Sequence, residues 1–491
     1  MSDTVVAPPG TPTDAGLRTG VMSGPELAAQ AIANIAPSAV IAFTAAAIFL
    51  GAGNGTIYAF ALATIVILCV GYCVVVFARK HASAGSLYTY VSKGLGPFGA
   101  FLAGVTLLIG CFGIAAASLS GSVSYMAQFL TMLGLPAQGL GWDIGLAVVL
   151  GGLATLFTIR GIRLSARVSL VLELVSVGII LVLLIAALVW AGPAAWDPAQ
   201  VLASGSSFQG VASGMVLGIL GFVGFSSADA LGREAKEPYK AIPRAIMWSA
   251  LGVGVLYVFA AYTQITVLGD DLATSSSPLE SMSALIGMPG WFAAVLTFGV
   301  SASFFAVVVA PLNVIGRIVY VMGKEGVVAE RFGRTHEQHL TPHRVLIIAG
   351  AAAVAVDIVL LLSGAATGEI LVWVNTWGTY GYMVAYALVA IACVVYTQRA
   401  KMRNGLVKVC ATVAVVTMAY VFFANVWPVP VFPYNVIPYV FLVTVALALT
   451  RYAYLARRRP EVIARIGQHR DERDGGRRLI RPPSDEKSPF R

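Results

Sequence analysis

Charge is what this 491-residue chain has least of. Asp, Glu, Lys and Arg together make up 11% of it, against a hydrophobic share of 58%, whereas soluble domains carry about 25% charged residues. That deficit argues against a set of soluble domains. The few charges are also segregated. Glu26 and Arg79 bracket 52 uncharged residues, Lys93 and Asp143 bracket 49, and Lys408 and Arg451 bracket 42. A membrane-crossing helix needs about 20 apolar residues, so each gap holds one or two spans. The chain reads as an all-α polytopic membrane protein.

Histidine and cysteine are scarce too, with five of each. Every histidine lies in a polar segment and none falls at HExxH spacing, so a membrane enzyme lacks its usual acid–base groups at depth. Cys69, Cys73, Cys111, Cys393 and Cys410 lie in or at the ends of apolar runs without metal-ligand spacing, and read as buried apolar thiols. No enzyme activity, cofactor or metal is expected. The start "MSDTVVAPPGTPTDAGLRTG" has no basic stretch leading into a short apolar core, so no cleaved signal is expected.

The net charge of +9 comes without a nucleic-acid-binding motif. Many of the positive charges follow the last apolar run, from Arg457, Arg458 and Arg459 onward, where a polybasic tail meets anionic lipid at a cytoplasmic surface. Membrane lipid is therefore the expected partner, nucleic acid is not, and no obligate protein partner is evident.

The uncharged runs and their Gly/Pro breaks give twelve spans, near 27–50, 56–78, 97–133, 143–160, 164–191, 209–232, 244–268, 290–322, 345–364, 369–396, 406–426 and 433–455. With both termini inside, all 32 lysines and arginines fall on the cytoplasmic side or at inner helix ends, as the positive-inside rule requires. The outer loops carry Asp143, Asp197, Asp270, Asp271, Glu280 and Glu369 instead. This places a multi-pass protein in the cell membrane with both termini cytoplasmic.

Two spans are irregular. The first, "AIANIAPSAVIAFTAAAIFLGAG", has Pro37 about ten residues in, with Ser38 beside it. The sixth, "GMVLGILGFVGFSSADALG", gathers Gly221, Gly224, Ser226 and Ser227. Proline removes a backbone donor, and irregular backbone at lipid depth is tolerated only beside a cavity or buried in protein. A proline kink and a glycine packing seam would explain each alone. As the first members of two five-span halves, however, the two breaks point to an inverted-repeat transporter with a midplane site.

Broken helices offer opposite charges. A half-helix N-terminus presents free N–H groups to an anion, and exposed carbonyls attract a cation. A zwitterionic amino acid matches this: its carboxylate on the N–H groups near Ala36, Pro37, Ser38 and Ala39, its ammonium on carbonyls near Leu220, Val223 and Gly224, with Phe225 and Ser226 adjoining. Phe222, Trp373, Trp377 and Tyr380 are further candidates for gating aromatics.

Four stretches resemble the amino acid–polyamine–organocation superfamily of permeases: "FARKHASAGSLYTYVSKGLGPFGAFLAG" (77–104), "GFSSADALGREAKEPYKAIPRAI" (224–246), "NVIGRIVYVMGKEG" (313–326) followed by "TPHR", and "WGTYGYMVAYALVAIA" (377–392). The combination is specific where any one stretch is weak. The resemblance implies a five-plus-five inverted repeat with two further helices, alternating access and an amine-bearing substrate. The organisation would be an N-terminal segment over 1–25 expected to be disordered, repeats over 26–191 and 209–396, a helix pair over 405–456 and a basic tail over 457–491.

Three departures bear on mechanism. Where many relatives carry an acid after the Gly-Phe pair, this chain has Ser226, and its nearest acid is Asp229. The position of a coupling lysine in some relatives is Ser176, with Glu173 one turn away. The segment that supplies hydroxyls in sodium-dependent relatives reads "VVVAPLN" (307–313) and has none.

Ionisable groups inside a membrane are costly and usually face a cavity or a partner. Asp229 would bind an amine, exchange a proton or cap the restarted helix. Glu173, near mid-span, suits a proton carrier, unless it pairs with an arginine. Asp357, on a peripheral span, reads as structural, and Arg317 as a snorkelling residue or a gate anchor. The expectation is a permease that takes up a neutral amino acid by proton symport, driven by a proton or ion gradient; a polyamine or amine permease and an amino-acid exchanger remain alternatives. A channel would need a continuous polar path, whereas the polar residues cluster at the breaks.

Overall fold

Apolar chain facing lipid must satisfy its own backbone hydrogen bonds, and helices do so within one segment. The computed structural model describes residue 17 and residues 19–468 apart from 276 and 403. The proposed N-terminal segment and basic tail therefore lie largely outside the described residues.

In chain order the helices are α1 (Gly24–Ile35), α2 (Pro37–Ala52), α3 (Thr56–Ala78), α4 (Ser86–Met132), α5 (Leu140–Arg160) and α6 (Ile162–Ala191). After a short α7 (Pro198–Val201) come α8 (Phe208–Leu220), α9 (Pro238–Leu268), a short α10 (Pro278–Leu285) and α11 (Gly290–Lys324). The chain then continues through α12 (His343–Leu362), α13 (Thr367–Arg399), α14 (Gly405–Ala424), α15 (Ile437–Arg458) and α16 (Pro460–Arg465). Among the described residues the β-type pairing is an isolated parallel bridge between Met22 and Ala235.

Among the described residues ten stretches are long and apolar enough to cross a membrane, the first running from Gly24 to Ala78. That stretch turns at a 3-10 segment, Gly53–Gly55, and so makes two crossings. The shorter apolar α8 supplies part of another, which brings the crossings to twelve.

The third and sixth spans depart most from the sequence reading, each for a local reason. α4 begins at Ser86 rather than 97, because the turns before the expected start are themselves helical. Gly96, at φ 71 and ψ −164, kinks them away from the span that Pro97 opens, a backbone state that glycine reaches without strain. In the sixth span regular helix stops at Leu220, and the chain re-forms only a 3-10 turn, Ser227–Leu231, before α9.

Burial separates centre from rim. In α4 and α11, 78% of the apolar window is buried, against 11% in α15, so α4 and α11 are central and α15 faces the surroundings. α4 packs on α13 along a seam of small residues. A Cβ on Gly378 would sit 2.9 Å from the Gly113 Cα, and one on Gly381 would sit 2.3 Å from the Thr106 carbonyl oxygen. Backbones this close are a common way for membrane helices to associate, since lipid gives no hydrophobic push between them. Gly381→Val is therefore expected to destabilise the protein by about 1–3 kcal/mol through overpacking, read as a lower thermal midpoint of the detergent-purified protein.

Candidate functional site

Both irregular spans are broken, and the breaks touch. α1 ends at Ile35 and α2 begins at Pro37, with Ala36 between them in the left-handed region at φ 56 and ψ 59. Pro37 cannot continue α1 but suits the first position of α2, where no N–H is needed. In the sixth span Gly224 adopts φ 91, and a Cβ there would meet Asn34 Nδ2 at 2.4 Å. The Asn34 amide donates to the Gly224 carbonyl at 3.0 Å, and the Gly224 N–H donates to the Tyr386 hydroxyl at 3.1 Å. Tyr257 donates to the Gly221 carbonyl at 2.9 Å, and Ser227 donates to the Gln30 carbonyl at 3.1 Å. Backbone groups freed in the sixth span are thus bonded by side chains of α1, α9 and α13, and Ser227 ties that span to α1.

Ala36, Pro37, Ser38, Ala39, Val223, Gly224, Phe225 and Ser226 are all buried here, and Leu220 partly so. The Phe225 ring packs on Tyr386 with centroids 5.3 Å apart, and Phe222 packs on Tyr257 at 5.0 Å.

Glu173 comes to the first break from α6. The Ser38 N–H and hydroxyl donate to its Oε1 at 3.4 and 3.2 Å, and Ser303 of α11 donates to Oε2 at 2.7 Å. The N-terminus of α2 therefore already holds a carboxyl, one belonging to the protein. The arginines on the same helix are engaged elsewhere: Arg163 donates to the Val21 carbonyl, and Arg167 pairs with Glu26 at 3.2 Å. Ser176, one turn along, is buried against α11, where a Cβ on Gly299 would come 3.5 Å from its Oγ. A crevice of about 170 Å³ between α1, α6 and α9, lined by Ile32, Pro37, Glu173, Trp248 and Val253 among others, reaches this point from the outer face of the bundle.

Asp229 lies on the other side of the second break. It is fully buried; Ser86 donates to its Oδ1 at 2.5 Å, and Oδ2 has no hydrogen-bond partner. Ser86 is held at φ 52, an uncommon conformation for a residue with a side chain. The sixth span restarts only as the 3-10 turn Ser227–Leu231, and Asp229 lies inside that turn rather than at its N-cap position, which is Ser226.

The remaining candidates fall elsewhere. Asp357 is fully buried on α12, which packs on α4, α5 and α11, away from both breaks. Arg317 does not snorkel. It is 1% exposed and donates to both Glu234 carboxylate oxygens at 2.6 and 2.8 Å, and to the Asn313 carbonyl at 2.7 Å. Tyr380 points at α14 and α15, against Phe422 and Phe441. Trp377 stacks edge-on with Phe112, and Trp373 packs at the partly buried edge of the core.

Sequence reasoning missed Ser303, Asn34, Tyr257 and Tyr386. Ser303 lies about a turn before the 307–313 stretch, in "GVSASFF", where serines interrupt an apolar run. Tyr382 and Tyr386 are four residues apart and so share a helix face that Tyr380 does not. Gly224→Ala is expected to cut uptake at least tenfold per folded molecule, because the methyl group meets Asn34 and strains a positive φ; reconstituted uptake normalised to monodisperse protein measures this.

The family model described as "Amino acid permease" matches residues 27–448. The branched-chain amino acid permease BcaP of Bacillus subtilis is 24% identical over 366 residues, covering 71% of this chain and 75% of that protein. The low-affinity putrescine importer PlaP of Escherichia coli is 27% identical over 312 residues, covering 61% and 65%. A solved structure of a Na⁺-coupled sialic acid symporter in a substrate-bound outward-open state aligns with TM-score 0.51 at 12% identity, covering 83% of this chain and 91% of that one; this likeness concerns the fold alone. The chain belongs to the amino acid permease family and is a multi-pass membrane transporter.

Proposed function

We propose that this permease imports a neutral amino acid together with a proton by alternating access, in the cell membrane, with both termini cytoplasmic. The observation that carries the reading is Glu173. It is a buried carboxyl joined only to hydroxyl and N–H donors of Ser38 and Ser303, so it ties the first break to α6 and α11 with no cation in its hydrogen-bonding shell. A proton is a positive charge that it can gain without rearranging those helices. In its anionic form it holds the α2 N-terminus; once protonated it relaxes that hold and leaves the Ser38 N–H to a substrate carboxylate. The substrate ammonium then lies on the carbonyl side of the second break, near Leu220 and Val223, with Phe225 closing over it.

BcaP, described as a branched-chain amino acid permease, supports a neutral aliphatic side chain in an environment formed by Val40, Phe222 and Val223. A second reading rests on Asp229, whose Oδ2 lacks a donor: a diamine would place its second ammonium there. The description of PlaP as a putrescine importer favours it.

Uptake into proteoliposomes separates the two. Saturable uptake of leucine, isoleucine or valine driven by an inward proton gradient is expected, with putrescine inert as a competitor. Uptake of putrescine alone overturns the neutral amino acid assignment. Glu173→Gln keeps the shape of the side chain but cannot exchange a proton. It is expected to flatten the dependence of uptake on external pH and to abolish accumulation against a gradient, while leaving counterflow exchange within about threefold. An unchanged pH profile removes Glu173 as the proton carrier.

A further inference from the structure

Four of the five cysteines, spread over more than 300 positions of sequence, meet at one place in the bundle. Cys69 and Cys73 are four residues apart on α3 and so share a face, and α13 and α14 pack against that helix. Two contacts fix the register. Asn404, at the start of α14, donates to the Tyr72 hydroxyl at 3.0 Å, and the Phe77 and Tyr396 rings pack at 5.1 Å. One turn back from that ring pair stand Cys73 on α3 and Cys393 on α13. Further along the α3–α14 contact stand Cys69 and Cys410. The Cys69 thiol lies beside the Cys410 thiol, and the Cys73 thiol beside that of Cys393. All are free. Cys111 stands apart, 3.1 Å from the Tyr382 hydroxyl.

Among the described residues no group of three or more His, Cys, Asp or Glu is arranged to hold a metal ion. The available chemistry is that of thiol pairs, and the two pairs differ in access. Cys73 and Cys393 are fully buried, whereas Cys410 is 7% exposed and Cys69 is half-buried.

We propose that Cys69 and Cys410 form a dithiol site for soft, thiophilic agents that need two sulfurs at once, trivalent organoarsenicals being the class that fits. The reaction balances without any oxidant. Each arsenic–oxygen double bond is exchanged for two arsenic–sulfur bonds, and the two thiol protons leave with the oxygen as one water. The product clamps α3 to α14. Because α3 also packs on α8 and α9, the clamp joins the neighbours of the second break to a helix outside the two five-span halves. It stops any cycle in which these elements move relative to one another.

The test uses the full-length purified protein and phenylarsine oxide. The expected result is one adduct per chain by intact-mass spectrometry, removed by a dithiol but not by a monothiol. Cys69→Ala and Cys410→Ala each lose it, while Cys73→Ala and Cys393→Ala keep it. In wild-type proteoliposomes the adduct lowers uptake at least tenfold, dithiol treatment restores it, and Cys410→Ala is insensitive. If either alanine variant at the site fails to fold, wild-type protein carries the test: N-ethylmaleimide on Cys69, mapped by peptide mass, must block the arsenical. An adduct retained by Cys410→Ala, an adduct lost with Cys73→Ala, or no adduct on wild-type protein overturns the proposal. The mass readout does not depend on which substrate the permease carries.

Discussion

The constraint on which this structure depends is that backbone unwound inside a membrane must find partners within the protein. Two spans unwind, and the first supplies part of what the second lacks. Asn34 reaches the Gly224 carbonyl, and Ser227 reaches the Gln30 carbonyl. Tyr257 and Tyr386 take what remains, from helices that do not themselves break. The two breaks are therefore one polar unit, and a change at one is felt at the other. A glycine at 224 follows directly, since the contact with Asn34 leaves no room for a Cβ.

The same economy closes one end of the bundle. Arg317 and Glu234 are both nearly inaccessible and bonded through two oxygens. Removing one partner of such a pair leaves a buried charge, at a cost of about 3–5 kcal/mol, whereas the intact pair adds little net stability. An interaction of this kind is better suited to selecting a state than to holding a fold. The backbone of Glu234 also pairs with Val21 and Met22, and Lys236 donates to the Met22 carbonyl. The chain before α1, the chain after the second break and α11 are thus tied together beneath the breaks. In the alternating access proposed above, this knot would have to part for that end to open.

The breaks were legible in the sequence because proline and clustered Gly/Ser act locally, on the residues that carry them. Pro37 marks the start of α2, and "GFVGFSS" marks the end of regular helix after Leu220. The partners of the buried acids were not legible. Glu173 meets Ser303 across 130 residues, and Asp229 meets Ser86 across 143. Such pairings depend on the rotation of each helix about its own axis, which an apolar run without a polar stripe leaves unspecified. Tyr380 shows the same limit: it was a candidate for the site, yet the helix phase turns it towards α15 and presents Tyr386 instead. The cysteines read as inert because their spacing was judged along the chain, whereas their proximity exists only between helices.

The two buried acids at the breaks are not equivalent, and the difference argues for separate roles. Glu173 has three donors and no vacant oxygen, so it is complete before any substrate arrives. Gaining a proton changes how strongly it grips α2, which links its charge to the shape of the first break. Asp229 has one donor from another helix, Ser86, and one oxygen without a partner, so it is incomplete, and its position beside the second break makes it responsive to what binds there. A carboxyl that is satisfied and bridges three helices suits coupling; a carboxyl left short of a donor suits recognition. A neutral amino acid brings no second ammonium, so with such a substrate Asp229 avoids an uncompensated buried charge only by carrying a proton of its own. The identity of the substrate and the protonation of Asp229 are therefore a single question, and Ser86, strained at φ 52 to reach that carboxyl, is the group that holds it in place.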